Sequence, residues 1–320
     1  AASDVYKRQE AEKHLWEKIY KKSGQGRRTG VGITAEGDML AAMGLRYGTE
    51  EATEFSEQVH KTIALEAYRS SVNMAKERGA FAIYDSEREK NNPFINRLKE
   101  ADPELYEEMK KYGRRNIACL TIAPTGTTSL MTQTTSGIEP VFMPVYKRRR
   151  KVNPNDPQTH VDFVDETGDA FEEYIVFHHK FVEWMTVNGY DPTKRYTQEE
   201  IDKLVEKSPY YKATSNDVDW LMKVKMQGRI QKWVDHSISV TINLPNDVDE
   251  ALVNRLYVEA WRSGCKGCTV YRDGSRSGVL LSTQKDKKDK KEELPPCKPP
   301  TVVEVRPKVL EAEVVRFQNN

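Results

Sequence analysis

Cysteine is scarce in this chain: four residues in 320. That excludes a secreted scaffold held by disulfides and points to reduced thiols. Net charge is nearly absent, with 50 Lys and Arg against 49 Asp and Glu. No global field therefore steers the chain towards nucleic acid or an anionic membrane, and direct nucleic-acid binding is not expected. Long apolar runs are missing as well; the longest fall well short of the roughly 20 residues a membrane span needs. The N-terminus lacks a basic region followed by an apolar core, so no signal peptide is read there. The expectation is a soluble cytoplasmic protein with no membrane partner.

What is present is polar surface: 31% charged residues and a mean hydropathy of −0.74. The chain is long enough for one large or two ordinary domains. Residues 1–9, "AASDVYKRQ", match nothing that follows and resemble a translated sequencing-adapter scar, so they are left out of fold reasoning. The chain ends at "EVVRFQNN", in what reads as the middle of an element. Both ends lead to the expectation of a fragment.

Residues 10–146 read as one segment. Gly24, Gly26, Gly30 and Gly32 lie close together in "GQGRRTGVGIT" after a helix-like stretch. Without a preceding strand this is no dinucleotide fingerprint, and a tight irregular turn is the plainer reading. A long helix is predicted from Thr49, with Glu50 and Glu51 at its positive end and Gly79 as its stop. Phe55, Val59 and Ile63 recur at helical spacing and give its expected inner face. "DPELYEEMKKYG" carries Asp102 as cap, Pro103 at the first position and Gly113 as stop. A strand follows over Ile117–Ile122.

Residues 147–232 are expected to be a mostly helical insertion. It opens with a basic run, Arg148–Lys151, which reads as solvated surface before it reads as a phosphate contact. Phe171, Phe177, Phe181 and Trp184 are assigned to helical segments, with a further helix near Lys203. Residues 233–282 return to a clean pattern. Ile238, Val240, Ile242 and Leu244 alternate with Ser and Thr, which is a strand with one polar face. Asn246 or Asp247 is the expected cap of the next helix, whose stripe is Leu252, Leu256 and Ala260 and whose stop is Gly264. "CTVYR" is the next strand, so strand, helix and strand form a parallel βαβ unit. Residues 283–320 begin with a Lys-, Asp- and Pro-rich linker and lead into a truncated C-terminal region.

The most informative stretch is "NIACLTIAPTGTTSLMTQTTSGIEP". A buried strand runs into Pro124, Thr125, Gly126, Thr127, Thr128 and Ser129. Pro124 fixes the exit, and Gly126 permits close approach or a positive φ. Four hydroxyls and, if a helix starts near Ser129, free amides would face a ligand. The loop holds no Lys or Arg, so it is not a P-loop. From composition and spacing alone, a phosphate cradle of neutral donors and an ordinary Ser/Thr-rich turn both fit. Glu139 in "SGIEP" reads equally as a buried carboxylate near the site or as a cap or ion-pair partner. His178, His179 and His236 lack metal spacing; His178 and His179 read as packing or surface residues.

"LTIAPTGTTS" followed by "SGIEPVF" resembles the substrate-phosphate loop of ribonucleotide reductases, and the Gly in its third position resembles the adenosylcobalamin-dependent class II branch. "GRRTGVGIT", "LRYGTEEA", "ERGAFAIYDSE", "HSISVTINLP", "GCKGCTVYRDGSR" and "RPKVLEAEVVRFQNN" resemble that branch too, in family order. The resemblance implies an α/β fold, half of the ten-stranded α/β barrel, with Pro124–Ser129 binding substrate phosphate. It implies an oxidoreductase parent that converts ribonucleoside di- or triphosphates to deoxyribonucleotides by a cobalamin-initiated thiyl radical mechanism. Adenosylcobalamin is the implied cofactor and a thioredoxin-type reductant an implied partner. The family's Asn-x-Cys-x-Glu radical motif is not found in this chain. No catalytic residue is therefore assigned, the cobalamin site is expected to be incomplete, and the N-terminal barrel half is the missing partner. The fragment alone is expected to be inactive.

Two other classes stay open: a non-catalytic nucleotide- or phosphate-binding module, and a zinc-linked interaction protein built on Cys265 and Cys268. A zinc site needs four ligands, usually two such pairs. Cys297 stands alone in the Pro-rich linker, so the Cys265–Cys268 pair is read as structural and no metal site is assigned. Cys119, among apolar residues, is the expected core thiol. Tyr271 occupies a segment where class I relatives carry relay tyrosines; the class II resemblance gives it no redox role.

Overall fold

A computed structural model of the chain describes residues 2–152, 160–164 and 170–273. Linker residues, Cys297 and the C-terminal "RPKVLEAEVVRFQNN" stretch lie outside the described residues. Helix α1 spans Ala2–Gly26, so residues 2–9 continue a helix with the residues that follow them. Helices α2 (Glu36–Ala42) and α3 (Glu50–Arg78) come next, then the short α4 (Ser86–Glu89), α5 (Pro93–Ala101), α6 (Pro103–Tyr112) and α7 (Gly126–Thr132). Strands β1 (Val145–Val152), β2 (Phe163–Val164) and β3 (Ala170–Phe177) precede helices α8 (His179–Val187), α9 (Gln198–Lys207) and α10 (Trp220–Gln231). Strand β4 (Thr241–Leu244), helix α11 (Glu250–Arg262) and strand β5 (Thr269–Arg272) complete the order. No described helix is long and apolar enough to cross a membrane.

A parallel array carries the architecture. Val31 bridges Leu120, Ile122 bridges Ile238, and β4 pairs with β5, all in parallel. The Thr121 amide donates to Val31 O at 2.9 Å, and the Ser239 amide to Ile122 O at 2.9 Å. Extended segments near 31, 120, 238 and 270 therefore lie side by side, and the sheets do not close on themselves among the described residues. Ile238, Val240, Ile242 and Leu244 are all buried, as their alternation with polar residues requires.

The Asp235 carboxylate fixes the middle of this array. It accepts from the amides of Cys119 at 2.7 Å and Leu120 at 2.8 Å, and from the Tyr68 hydroxyl at 2.6 Å. Buried amides that lack a strand partner at this point are thus satisfied by one side chain. Beside it, Arg114 is buried between the rings of Tyr68, Phe81 and Tyr84 and makes a two-pronged ion pair with Glu89, both contacts at 2.5 Å. Planar stacking plus a bidentate carboxylate is the setting in which a guanidinium tolerates burial.

Several local expectations meet the coordinates directly. Thr49 caps α3 by accepting from the Ala52 amide, and Gly79 ends it at φ 78°. Asp102 caps α6, which starts at Pro103 and stops at Gly113. Elsewhere the structure differs. The inner face of α3 is Ala52, Ser56, His60, Ala64, Tyr68 and Val72, while Phe55, Val59 and Ile63 are half-buried. Ala52, Ser56 and Ala64 on that stripe let neighbouring elements approach the helix axis, and Tyr68 and Val72 fill the space between, so fit as well as hydropathy selects the face. Asp249, not Asn246 or Asp247, caps α11 by accepting from Leu252 N at 2.7 Å.

The glycine cluster is not a turn. Gly24 and Gly26 end α1, and Gly30 and Gly32 lie in the extended segment beside residues 120–122. A Cβ on Gly32 would sit 2.0 Å from Thr121 O, so only a hydrogen fits.

The segment 147–232 is helical only in its second part. Phe171 and Phe177 lie on β3, paired antiparallel to β1 with Val145 opposite Phe177; Phe181 and Trp184 lie on α8. Cross-strand charge explains the difference. Arg149 pairs with Glu173 at 2.9 Å and Arg150 with Glu172 at 2.5 Å, so the basic run of β1 is matched by the acidic pair of β3. A single strand read alone does not reveal that complement.

Candidate functional site

The loop after residue 122 turns on Thr125, which takes φ 49°, while Gly126 does not need a positive φ. Two contacts hold that conformation. Thr125 Oγ1 accepts from the Gly137 amide at 2.8 Å and lies 3.2 Å from Thr34 Oγ1. Thr34 Oγ1 spends its own proton on Thr135 O at 2.9 Å, so Thr125 is the donor between the two hydroxyls. Helix α7 begins at Gly126, three residues earlier than Ser129. The Ser129 amide is the first to close on the helix ladder, to Thr125 O at 2.8 Å. Amides of Gly126, Thr127 and Thr128 precede that ladder.

The six loop residues divide into two groups. Gly126, Thr127 and Ser129 line a cleft of about 610 Å³; Pro124, Thr125 and Thr128 do not. Ser129 is buried, donates to Gly126 O at 2.9 Å and shares a 2.8 Å hydrogen bond with Ser136. Two of the four hydroxyl protons, those of Thr125 and Ser129, therefore maintain the loop, and the exposed Thr127 and Thr128 are left to face outward. A Cβ on Gly126 would meet nothing within 4 Å, so the space in front of this residue is open.

Glu139 forms the floor. Its carboxylate accepts from Lys223 Nζ at 2.5 Å and from the Thr241 amide at 2.6 Å. Lys223 is almost wholly buried on α10 and also donates to Thr241 O at 2.6 Å. The ion pair thereby ties the end of the loop region to the start of β4 and leaves no net charge at that point.

Sequence reasoning missed Asp38, His178 and Tyr210. Asp38 is buried on α2; its Oδ1 accepts from His178 Nε2 at 2.8 Å and from the Tyr210 hydroxyl at 3.0 Å, and its Oδ2 from the Thr135 amide at 2.8 Å. Burial and the adjoining carboxylate keep the Tyr210 phenol protonated well above its ordinary range. His178 lines the same cleft as Thr127, Ser136, Glu139 and Asn243. His178 and Tyr210 are separated from Asp38 by 140 and 172 positions, and no spacing rule links the three.

Helix α2 carries a second buried acid. Glu36 is fully buried, and neither carboxyl oxygen makes a normal hydrogen bond. Burial raises its pKa to about 7, and the neighbouring Ser56 hydroxyl relieves only part of that.

The three described cysteines, Cys119, Cys265 and Cys268, are not among the residues that line this cleft. Burial and the Asp235 charge push the Cys119 thiol up to about 12. Burial and its neighbour Cys268 do the same for Cys265, whose thiol lies 3.7 Å from Val224 O. Cys265 and Cys268 are free thiols packed against the buried cluster of Val224, Ile242, Leu244, Leu256 and Ala260, and no cluster of three or more His, Cys, Asp or Glu is placed for a metal among the described residues.

Comparison with known proteins follows the same lines. Residues 9–271 match the family model described as ribonucleotide reductase, barrel domain. A vitamin B12-dependent ribonucleoside-diphosphate reductase of Mycobacterium tuberculosis (strain CDC 1551 / Oshkosh) is 30% identical over 264 residues, covering 80% of this chain and 33% of the relative. One of the same name from Thermoplasma acidophilum is 30% identical over 288 residues, covering 89% and 34%. Among solved structures, the Actinobacillus ureae class Id ribonucleotide reductase alpha subunit superposes with a TM-score of 0.53 at 16% identity, over 79% of this chain and 40% of that one. The chain spans about a third of the length of the curated relatives it matches. With the family model running from the first helix to β5, the chain belongs to the ribonucleotide reductase barrel-domain family.

Proposed function

We propose that this chain supplies the nucleotide-phosphate loop and part of the barrel wall of a ribonucleotide reductase. The observation that carries the reading is the loop at Pro124–Ser129, whose Gly126, Thr127 and Ser129 line an open cleft, in a chain of this family. The terminal phosphates of a ribonucleoside di- or triphosphate take hydrogen bonds from the amides of Gly126, Thr127 and Thr128 and from the hydroxyls of Thr127 and Thr128. Thr125 and Ser129 hold the loop in shape.

The parent enzyme reduces ribonucleotides in the cytoplasm, with the N-terminal barrel half and a thioredoxin-type reductant as partners. The relatives' names carry vitamin B12, and adenosylcobalamin is the cofactor proposed for the parent, where it would supply the initiating radical. Its site is expected to be incomplete in this chain, whose own proposed share is to bind and orient the nucleotide. The domain division at 146, 232 and 282 belongs to the same proposal.

Gly126→Val tests it. The space around Gly126 is open, so the branched side chain fits the fold and intrudes only where a phosphate must approach. In the full-length enzyme, nucleotide binding falls by tenfold or more while cobalamin binding stays within about twofold, as expected for losing one to three charge-assisted hydrogen bonds. Unchanged nucleotide affinity would reduce the loop to a turn.

A further inference from the structure

The cleft beside Thr127 has a charge problem. Of the residues that line it, Glu139 is the acid, already neutralised by Lys223 from below, and no Lys or Arg is present. A nucleotide's phosphates would meet neutral donors alone. His178 is the single lining side chain that can carry a positive charge.

Its setting suits that task. His178 sits just before α8 with its amide donating to Pro144 O at 2.8 Å, which anchors its backbone, while Asp38 holds its ring. Nε2 faces the Asp38 carboxylate and must carry a proton, because both oxygens of Asp38 are acceptors for His178, Tyr210 and Thr135. Nδ1 makes no hydrogen bond among the described residues and is the ring's remaining polar atom. The Tyr210 ring packs edge-on against the imidazole at 6.1 Å. The charged and titratable groups set against it are Asp38 on α2 and Tyr210, which in turn feels Glu183 of α8; Glu139, paired with Lys223, lines the same cleft.

The same carboxylate reaches the loop. Asp38 holds the Thr135 amide, Thr135 O holds Thr34, and Thr34 holds Thr125. A continuous hydrogen-bonded path thus joins the imidazole to the residue that sets the loop's conformation.

We propose that His178 is a phosphate-contacting residue, donating from Nδ1 to a nonbridging oxygen of a nucleoside di- or triphosphate, with Asp38 and Tyr210 as the residues that position its ring. The inference rests on the phosphate-loop reading and adds to it the cationic donor that the loop lacks.

The test uses the 320-residue chain and inorganic pyrophosphate, followed by ring ¹H–¹⁵N spectra and backbone amide spectra. His178→Gln assigns the ring signal and keeps a donor towards Asp38. Pyrophosphate is expected to shift both the His178 Nδ1 resonance and the Thr127 and Thr128 amides, and His178→Gln to weaken binding roughly tenfold, as for a lost charge-assisted bond. Shifts at the loop amides with an unmoved His178 ring would overturn the inference and leave the loop reading standing. A moving ring with silent loop amides would place the anion away from the loop and overturn both the loop reading and the inference that rests on it. No shift at either place overturns both. The ring shift is read in the unsubstituted chain, so the result stands even if the variant folds poorly.

Discussion

Glu139 and Lys223 form a 2.5 Å ion pair whose two ends are not equally buried: Lys223 is 1% exposed and Glu139 21%. The Glu139 carboxylate has a second donor in the Thr241 amide, and the ammonium has a second acceptor in Thr241 O. The pair therefore joins three elements that are distant in sequence at one point under the cleft. Removing either partner leaves the other uncompensated, and the cost depends on which one remains.

Glu139→Gln is expected to destabilise by about 3–5 kcal/mol, because it strands a buried ammonium. Lys223→Met is expected to cost clearly less, since the remaining carboxylate reaches water and keeps its amide. Urea midpoints at constant m-value measure both. Equal costs would show that burial asymmetry does not govern the pair.

Glu36 gives a pH signature. Below a pH of about 4.5, the ordinary value, the carboxyl is protonated in both folded and unfolded chains. Between there and about 7 the unfolded chain ionises and the folded one does not, so stability falls as pH rises and then levels off. Glu36→Gln removes this loss. Its gain over the parent is expected to be small near pH 5 and on the order of 3 kcal/mol at pH 8. Thermal melts of both proteins across that range are the measurement, and a gain that does not grow with pH would contradict the raised pKa.

Gly32 and Gly126 predict opposite tolerance. A Cβ at Gly32 collides with Thr121 O, while one at Gly126 meets open space. Gly32→Ala is expected to lose about 1–3 kcal/mol or more through displaced backbone. Gly126→Ala should stay within about 0.5 kcal/mol of the parent, as for an exposed substitution. Chemical denaturation of the two variants decides.

Thiol chemistry separates the cysteines from a catalytic or metal role. Cys119 is buried with its pKa pushed up to about 12, so at pH 8 it stays a thiol and resists alkylation in the folded chain. Peptide mass mapping after brief iodoacetamide treatment should find it unmodified. Metal content after purification without chelator should be well below one zinc per chain. About one tightly held zinc, lost on Cys268→Ser, would promote the interaction-protein alternative.

Local chemistry was readable from the chain alone. Thr49, Asp102, Pro103, Gly79 and Gly113 set helix ends through short-range hydrogen bonds and backbone geometry, which act within a few residues. Alternation from Ile238 to Leu244 marked a strand because a pleat has a fixed period. The ordered family motifs identified the barrel, and the loop at Pro124–Ser129 stood out by composition. Tertiary structure alone decided the rest. It chose the Ala52–Ser56–Ala64–Tyr68 face of α3 over Phe55, Val59 and Ile63, because close packing rewards fit as well as hydropathy. It made β3 of a segment that reads as helix, because the charges of β1 complete it. It placed positive φ on Thr125 rather than Gly126, because the Gly137 amide and Thr34 stabilise that turn from outside the loop. And it brought Asp38, His178 and Tyr210 together: hydrogen bonds between residues more than a hundred positions apart follow from how helices are stacked, and no periodicity in the chain encodes that.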